Sequence, residues 1–157
     1  MIDKQALKHA LLAGMGGFIA ILLLASASEF GAAALIMAPF GASCVLLFAL
    51  PEAALSQPRN VIGGHLLTAS VGLAFYLLTP NTALFAALAV GVAISLMVLT
   101  KTTHPPAGAN PLLFFLAAKP LSIWFLLTPV ASGAILLVLL ATLYHRATGK
   151  FSYPVKR

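Results

Sequence analysis

The sequence predicts an all-α polytopic membrane protein. Of the 157 residues, 61% are hydrophobic and 8% are charged, and the mean hydropathy is +1.05, whereas a soluble domain carries about 25% charged residues. A Pro-and-Gly pattern at Pro39 occurs again at Pro106, inside apolar sequence. Helix breakers at matching places in two halves are typical of transporters and channels built from repeats. We therefore expect one transmembrane domain, residues 1–157, with six spans in two inverted three-helix repeats (about 10–79 and 82–144) and helices broken at Pro39 and Pro106.

The apolar segments give these spans in chain order: 10–28, 32–50, 61–78, 82–99, 103–118 and 121–144. About 20 residues are needed to cross the hydrocarbon core of roughly 30 Å. The fifth segment is the weakest, because 107–118 would cover only about 18 Å as a helix. A re-entrant loop there would move the basic C-terminal tail to the other side of the membrane. We therefore expect a crossing made of an irregular stretch at His104-Pro105-Pro106 and a half-helix.

The first segment has a second interpretation as a secretory signal. Lys4 and Lys8 precede an apolar run, and Ala25-Ser26-Ala27 resembles a cleavage site. The apolar run is long for a signal, and removing it would unbalance the repeat. We expect the segment to be retained as the first span.

The positive charge predicts orientation rather than nucleic-acid binding. The net charge is +6, but the basic residues are scattered in loops and at the termini, with no basic helix face and no aromatic-basic interleaving. Basic residues collect on the cytoplasmic side of a membrane. This rule places both termini, Arg59 and Lys101 of a multi-pass protein in the cytoplasm, and Lys119 alone departs from it.

The repeated pattern predicts a binding site. Pro39-Phe40-Gly41-Ala42-Ser43 matches Pro106-Ala107-Gly108-Ala109-Asn110, and each copy reads Pro, any residue, Gly, Ala and a small polar residue. A helix that begins inside the membrane presents unpaired N–H groups and a positive dipole end, which suit a small anion. Inverted halves would direct both ends at one site. The alternative is a pair of ordinary kinks eased by glycine packing. The predicted substrate-binding residues are Pro39, Gly41, Ala42, Ser43, His104, Pro105, Pro106, Gly108, Ala109 and Asn110.

Three further residues, Arg59, His65 and Lys101, form a predicted electrostatic entrance. They could attract anions at the cytoplasmic mouth, or anchor the loops at the lipid headgroups. His104 could be a proton carrier, an anion donor or a helix cap, and an ionisable group inside a membrane is a functional hypothesis by default.

The sequence gives little support for other classes of function. The acidic residues are Asp3, Glu29 and Glu52, and none has a predicted place deep in a span, which favours an anion or a neutral solute over a cation. No carboxylate pair, metal-ligand spacing, P-loop or dinucleotide motif is present, so we expect no enzyme, no cofactor and no metal site. Small residues such as Gly14 and Gly17 permit close helix approach, so a homo-oligomer is possible.

These motifs resemble those of a known family. Thr103-His104-Pro105-Pro106-Ala107-Gly108-Ala109 looks like the motif that names the HPP family of integral membrane proteins, and residues 38–43 and 57–65 are similar to its pattern. The resemblance implies a prokaryotic inner-membrane protein with relatives linked to nitrite transport. That family is often described with four spans, which differs from the six drawn above.

Three functions are compatible with the sequence. The first is a channel or secondary transporter for a small anion, with nitrite suggested by the resemblance. The second is a channel for a small neutral or weakly acidic solute, with the half-helix at Asn110-Pro111 as a hydrogen-bonding filter. The third is a membrane scaffold that transports nothing.

Overall fold

The fold is helical, as predicted. The computed structural model describes residues 3–29 and 35–155, so residues 32–34 of the predicted second span, and Lys156 and Arg157 of the basic tail, lie outside the described residues. The described part contains no β-strand and has six α-helices. They are α1 Lys4–Glu29, α2 Ala38–Cys44, α3 Pro58–Leu78, α4 Ala83–Leu99, α5 Asn110–Leu116 and α6 Ser132–Thr148.

Short helical turns adjoin four of these helices. A π-type turn, Val45–Ala49, prolongs α2, and another, Leu126–Ala131, leads into α6. Turns of 3₁₀ type, Ala54–Ser56 and Pro105–Ala109, precede α3 and α5. Proline stands in the first turn of α2, α3 and α5, where its missing N–H has no helical partner to lose and its fixed φ favours the helix.

Three helices are long and apolar enough to cross a membrane, judged by length and composition: Lys4–Glu29, Pro58–Leu78 and Leu126–Thr148. Two shorter apolar helices, Ala38–Ala49 and Ala83–Leu99, accompany them. A 12-residue helix covers only about 18 Å, so the second predicted span is as short as the fifth. The count of six spans therefore stays a prediction.

The distribution of exposed and buried side chains is that expected for a protein in a lipid bilayer. Long apolar side chains point outward, with Leu78, Leu116 and Trp124 exposed by 83%, 79% and 72%. The interior contains many small residues, and Ala20, Ala69 and four further alanines on α4 and α6 are fully buried. Small residues allow helices to approach closely where lipid supplies no hydrophobic driving force. The outer surface is therefore suited to contact with lipid chains.

Basic residues meet at one end of the bundle. The Lys150 ammonium lies 2.9 Å from His9 Nδ1, which joins the end of α6 to the start of α1. Arg59 donates to the Thr100 carbonyl at 2.9 Å, which joins the start of α3 to the end of α4. We call the end that carries His9, Arg59, Lys101 and Lys150 the basic end.

The C-terminal tail links these two contacts. The Val155 N–H donates to Gln57 Oε1 at 3.0 Å, and the Tyr153 hydroxyl donates to the Ser56 carbonyl at 2.9 Å. The tail after α6 therefore packs against the turn that precedes α3. The basic residues at the starts of α1 and α3 and after the ends of α4 and α6 consequently lie on the same end.

We expect Tyr153→Phe to loosen this tail. The variant removes one buried hydrogen bond, a loss of about 0.5–1.5 kcal/mol, measurable as a lower unfolding temperature in detergent. Burial raises the pKa of the Tyr153 phenol, so the neutral donor is favoured in the fold. The difference between wild type and variant should therefore be present below the ordinary tyrosine pKa of about 10 and shrink as the pH rises above it. A difference that grows with alkaline pH would contradict the assignment.

Candidate functional site

Five polar side chains meet in the interior: Ser43 from α2, His65 and Thr68 from α3, His104 from the connection after α4, and Asn110 from α5. Each is 0% exposed. We call these five residues the polar cluster. Ionisable groups buried in a membrane protein are costly and usually serve function, so the cluster is the candidate site.

A tight helix end directs His104 inward. Lys101 adopts the left-handed conformation with φ 56°, and the Thr102 N–H donates to the Met97 carbonyl at 2.9 Å. This is the Schellman arrangement, which ends a helix and reverses the chain. The extended stretch that follows brings His104 against α3.

Gly64 makes room for this stretch. A Cβ at Gly64 would lie 2.8 Å from the Thr102 carbonyl oxygen and 3.0 Å from His104 Cβ, so a larger residue would push the stretch away. The Asn60 amide holds it by donating to the Thr103 carbonyl at 2.9 Å. The two sequence motifs that contain Gly64 and His104 therefore pack directly against each other.

The bonding pattern fixes the tautomer of His104. Its Nδ1 lies 2.8 Å from the Leu55 carbonyl oxygen, and a carbonyl only accepts, so Nδ1 carries the proton. In the neutral ring Nε2 is then an acceptor. The Ser43 hydroxyl, 2.9 Å away, donates to it.

The partners of His65 fix its tautomer in the same way. Because the single Ser43 proton is directed at His104, His65 Nε2 must donate to Ser43 Oγ, 2.9 Å away. His65 Nδ1 is then the acceptor for Asn110 Nδ2 at 3.0 Å, and the same amide nitrogen lies 3.0 Å from Thr68 Oγ1. When both imidazoles are neutral, the result is a directed chain of hydrogen bonds from Asn110 through His65, Ser43 and His104 to the Leu55 carbonyl.

Aromatic packing encloses the cluster. The rings of His65 and His104 lie 5.0 Å apart at 65°. The edge of Phe40 meets the His65 ring at 5.1 Å and 82°, and Phe40 is itself fully buried. The imidazoles therefore lie in an apolar surrounding in which hydrogen bonds are strong and unpaired groups are costly.

An apolar groove of about 740 Å³ lies between α2 and α5. Ten of its lining residues occupy matched positions of the two sequence copies, which are 67 residues apart (106 − 39 = 67). The matched pairs are Ala38 with Pro105, Pro39 with Pro106, Ala42 with Ala109, Val45 with Leu112, and Leu46 with Leu113. Ser43 and Asn110 of the cluster are 67 residues apart as well.

Comparison with known proteins identifies the family. The family model of the HPP transmembrane region matches residues 2–154. The chain belongs to the HPP family. The expectation from the sequence motifs is thereby confirmed, and the chain is a membrane protein in contact with the lipid bilayer.

Two relatives come from Dictyostelium discoideum, and each is named a transmembrane protein. One is 36% identical over 126 residues, which are 76% of this chain and 40% of the relative. The other is 37% identical over 122 residues, which are 74% of this chain and 43% of the relative. The chain thus spans about two fifths of the length of these relatives. No solved structure matches it.

The structure brings some predicted residues of this HPP chain together and separates others. Ser43, His104 and Asn110 join in the cluster, and the Pro39 carbonyl lies 3.2 Å from Ser43 Oγ. His65, predicted at the entrance with Arg59 and Lys101, lies instead in the cluster. Arg59 and Lys101 are exposed at the basic end. Of the remaining predicted residues, Ala42, Pro105, Pro106 and Ala109 line the groove between α2 and α5, Gly41 lines another groove beside α1, and Gly108 is half-buried.

Three participants in this HPP site were not predicted from the sequence. Thr68 follows His65 by three positions, so helical spacing could have placed both on one face. Asn60 lies one turn before Gly64, but no pattern predicts that its amide binds the Thr103 carbonyl. Leu55 takes part through its backbone carbonyl, for which a sequence carries no signal.

Proposed function

We propose that this chain is the membrane domain of a secondary transporter for a small anion, with the polar cluster as the point of recognition. The observation that carries the proposal is the pair of fully buried histidines joined through Ser43, where two matched segments meet. The resemblance to HPP proteins suggests nitrite as the solute. By the positive-inside rule the basic end would face the cytoplasm of a cell whose inner membrane holds the protein.

The directions of α2 and α5 support two inverted halves with helices broken at Pro39 and Pro106. His9 Nε2 lies 3.1 Å from the Ala49 carbonyl, so α2 and its π-type turn run toward the basic end. The turn that leads into α5 follows Lys101 and therefore starts near that end. The groove is lined by matched residues of the same two segments, as expected for halves related by a pseudo-two-fold axis in the membrane plane.

The glycine contacts add support for the repeat. The Phe40 ring of α2 packs on Gly133 of α6, and the Phe114 ring of α5 packs on Gly72 of α3. Each short helix thus packs an aromatic ring against a glycine of a long helix of the other predicted repeat, although Phe40 and Phe114 are not at matched positions of the two copies. In addition, α1 contacts α2 and α6, whereas α4 contacts α5 and α3, as exchange of the two halves requires.

The chemistry of the cluster supports an anion over a cation. Asn110, His65 and Ser43 offer N–H and O–H donors, and no acidic side chain of the described residues approaches them, because Asp3, Glu29 and Glu52 are all exposed. Full burial of the cluster supports a carrier over an open channel, since a solute can reach it only when the surrounding helices move apart.

Flux measurements in proteoliposomes test the proposal. We expect nitrite, and to differing extents nitrate and formate, to equilibrate faster through the purified protein than through empty vesicles, with a neutral solute of similar size excluded. Preferred flux of the neutral solute would favour the filter function at Asn110. A folded protein that passes none of these solutes would be a scaffold, in which the satisfied polar network only specifies the packing.

Valine substitutions at two glycines test which segments line the path of the solute. A Cβ at Gly41 or Gly108 would meet nothing within 4 Å, so Gly41→Val and Gly108→Val should fold, yet they add bulk to the two repeated segments that carry Ser43 and Asn110. We expect both to lower the flux. Gly91→Val on α4, whose Cβ also meets nothing within 4 Å, is the matched control and should transport like wild type. Wild-type flux in both test variants would exclude these segments from the path.

A further inference from the structure

We infer that Ser43 and His104 form a proton-binding site and that the solute crosses together with one proton. This inference rests on the proposed transport function. Ser43 Oγ has three polar partners. It lies 2.9 Å from both His65 Nε2 and His104 Nε2 and 3.2 Å from the Pro39 carbonyl oxygen. One hydroxyl proton cannot serve both acceptors, His104 Nε2 and the Pro39 carbonyl, at once.

Two arrangements of the protons around Ser43 and His104 are therefore compatible with the same positions of the non-hydrogen atoms. In the first, the Ser43 hydroxyl donates to neutral His104. In the second, a proton from water bonds to His104 Nε2, the Ser43 hydroxyl turns to the Pro39 carbonyl, and Ser43 Oγ accepts from both imidazoles. The new N–H bond forms as one O–H bond of a hydronium ion breaks, and the reverse transfer to water on the other side restores neutral His104. The cluster can thus gain or lose a proton through the rotation of one hydroxyl.

His65 is a poorer place for the same proton. Its free nitrogen, Nδ1, faces the Asn110 amide nitrogen at 3.0 Å, with the amide oxygen farther away at 3.4 Å. Protonation there would require the amide to flip and to give up its bond to Thr68 Oγ1. His104 therefore binds the proton, and rotation of the Ser43 hydroxyl accommodates it.

Among the described residues, no fixed charge lies beside the cluster to compensate an anion. Apart from His65 itself, the titratable side chains of α2 to α5 and of the turns between them are Cys44, Glu52, Arg59, Tyr76 and Lys101; Glu52, Arg59 and Lys101 are exposed. From α6, His145 bonds to the Leu47 carbonyl. A lone anion is costly at membrane depth, whereas an anion accompanied by a proton on His104 is neutral overall.

Internal pH in proteoliposomes tests the inference, together with isotope exchange. Nitrite added outside wild-type vesicles that hold a pH-sensitive dye should acidify the lumen beyond the change in protein-free vesicles. His104→Gln cannot hold the proton, and Ser43→Ala lacks the rotating hydroxyl, so both should lose this extra acidification. Exchange of labelled for unlabelled nitrite at equal pH moves no net proton, so in the wild type it measures transport separately from proton coupling. His145→Gln, at a buried histidine outside the cluster, should acidify like wild type.

The outcomes separate the two proposals. Wild-type exchange without added acidification would overturn the proton site and leave the transporter standing. Wild-type protein that exchanges no nitrite would overturn the transport function and this inference with it. Undiminished acidification by folded His104→Gln would assign the proton elsewhere. The wild-type measurement is decisive even where a variant fails to fold.

Discussion

Gly72→Val and Gly133→Val are each expected to yield little or no folded protein. A Cβ at Gly72 would lie 2.6 Å from Pro111 Cα, and a Cβ at Gly133 would lie 2.7 Å from the Leu35 carbonyl oxygen while overlapping the Phe40 ring. Overpacking usually costs about 1–3 kcal/mol. Here the obstructing atoms include backbone, which cannot rotate away, so the cost should reach or exceed the upper end of that range.

Size-exclusion profiles and unfolding temperatures in detergent measure this effect. Gly14→Val and Gly91→Val are the controls, because a Cβ at either position meets nothing within 4 Å, and both should remain monodisperse. The comparison separates the requirement for close contact from the general cost of valine in a helix. Normal folding of Gly72→Val would mean that α3 and α5 do not pack as closely as described.

Much of the fold could be predicted because its causes are local. A composition with few charges requires lipid, and the first-turn prolines mark where α2, α3 and α5 begin. Hydropathy alone predicted a full-length second span, since residues 32–50 read as one apolar run, whereas Pro39 indicated a shorter helix within it. Hydropathy reports where a segment is apolar, whereas the start of a helix depends on the backbone conformation around Met37, which is extended.

The site could be predicted only in part. Ser43 and Asn110 could be predicted because their motif is repeated in the sequence, and His104 because it is an ionisable residue just before the second copy. The position of His65 in the same cluster depends on tertiary structure: Gly64 admits the stretch after α4, and the left-handed turn at Lys101 reverses the chain. Neither contact between these distant segments could be predicted from the sequence around His65, where Arg59 indicated a place at the surface instead.

Asn110→Leu is expected to destabilise the protein by about 1–3 kcal/mol, the cost of leaving a buried polar group unpaired. Leucine has a similar shape but donates no hydrogen bond, so His65 Nδ1 would lose its donor at 3.0 Å. The measurement is the unfolding temperature in detergent. Ser132→Ala is the control, because Ser132 Oγ is buried with no hydrogen-bond partner among the described residues, and its removal should cost little.

A double-mutant cycle with His65→Leu isolates the bond between the two side chains. Removing both partners leaves neither group unpaired, so the double variant should be less destabilised than the sum of the single variants. The remaining Ser43 hydroxyl still donates to His104 Nε2, as it does in the wild type. Additive effects would contradict the donation from Asn110 to His65 Nδ1 and, with it, the assignment of His65 Nε2 as the donor to Ser43. The directed chain of hydrogen bonds depends on that assignment, and so does the choice of His104 as the proton site.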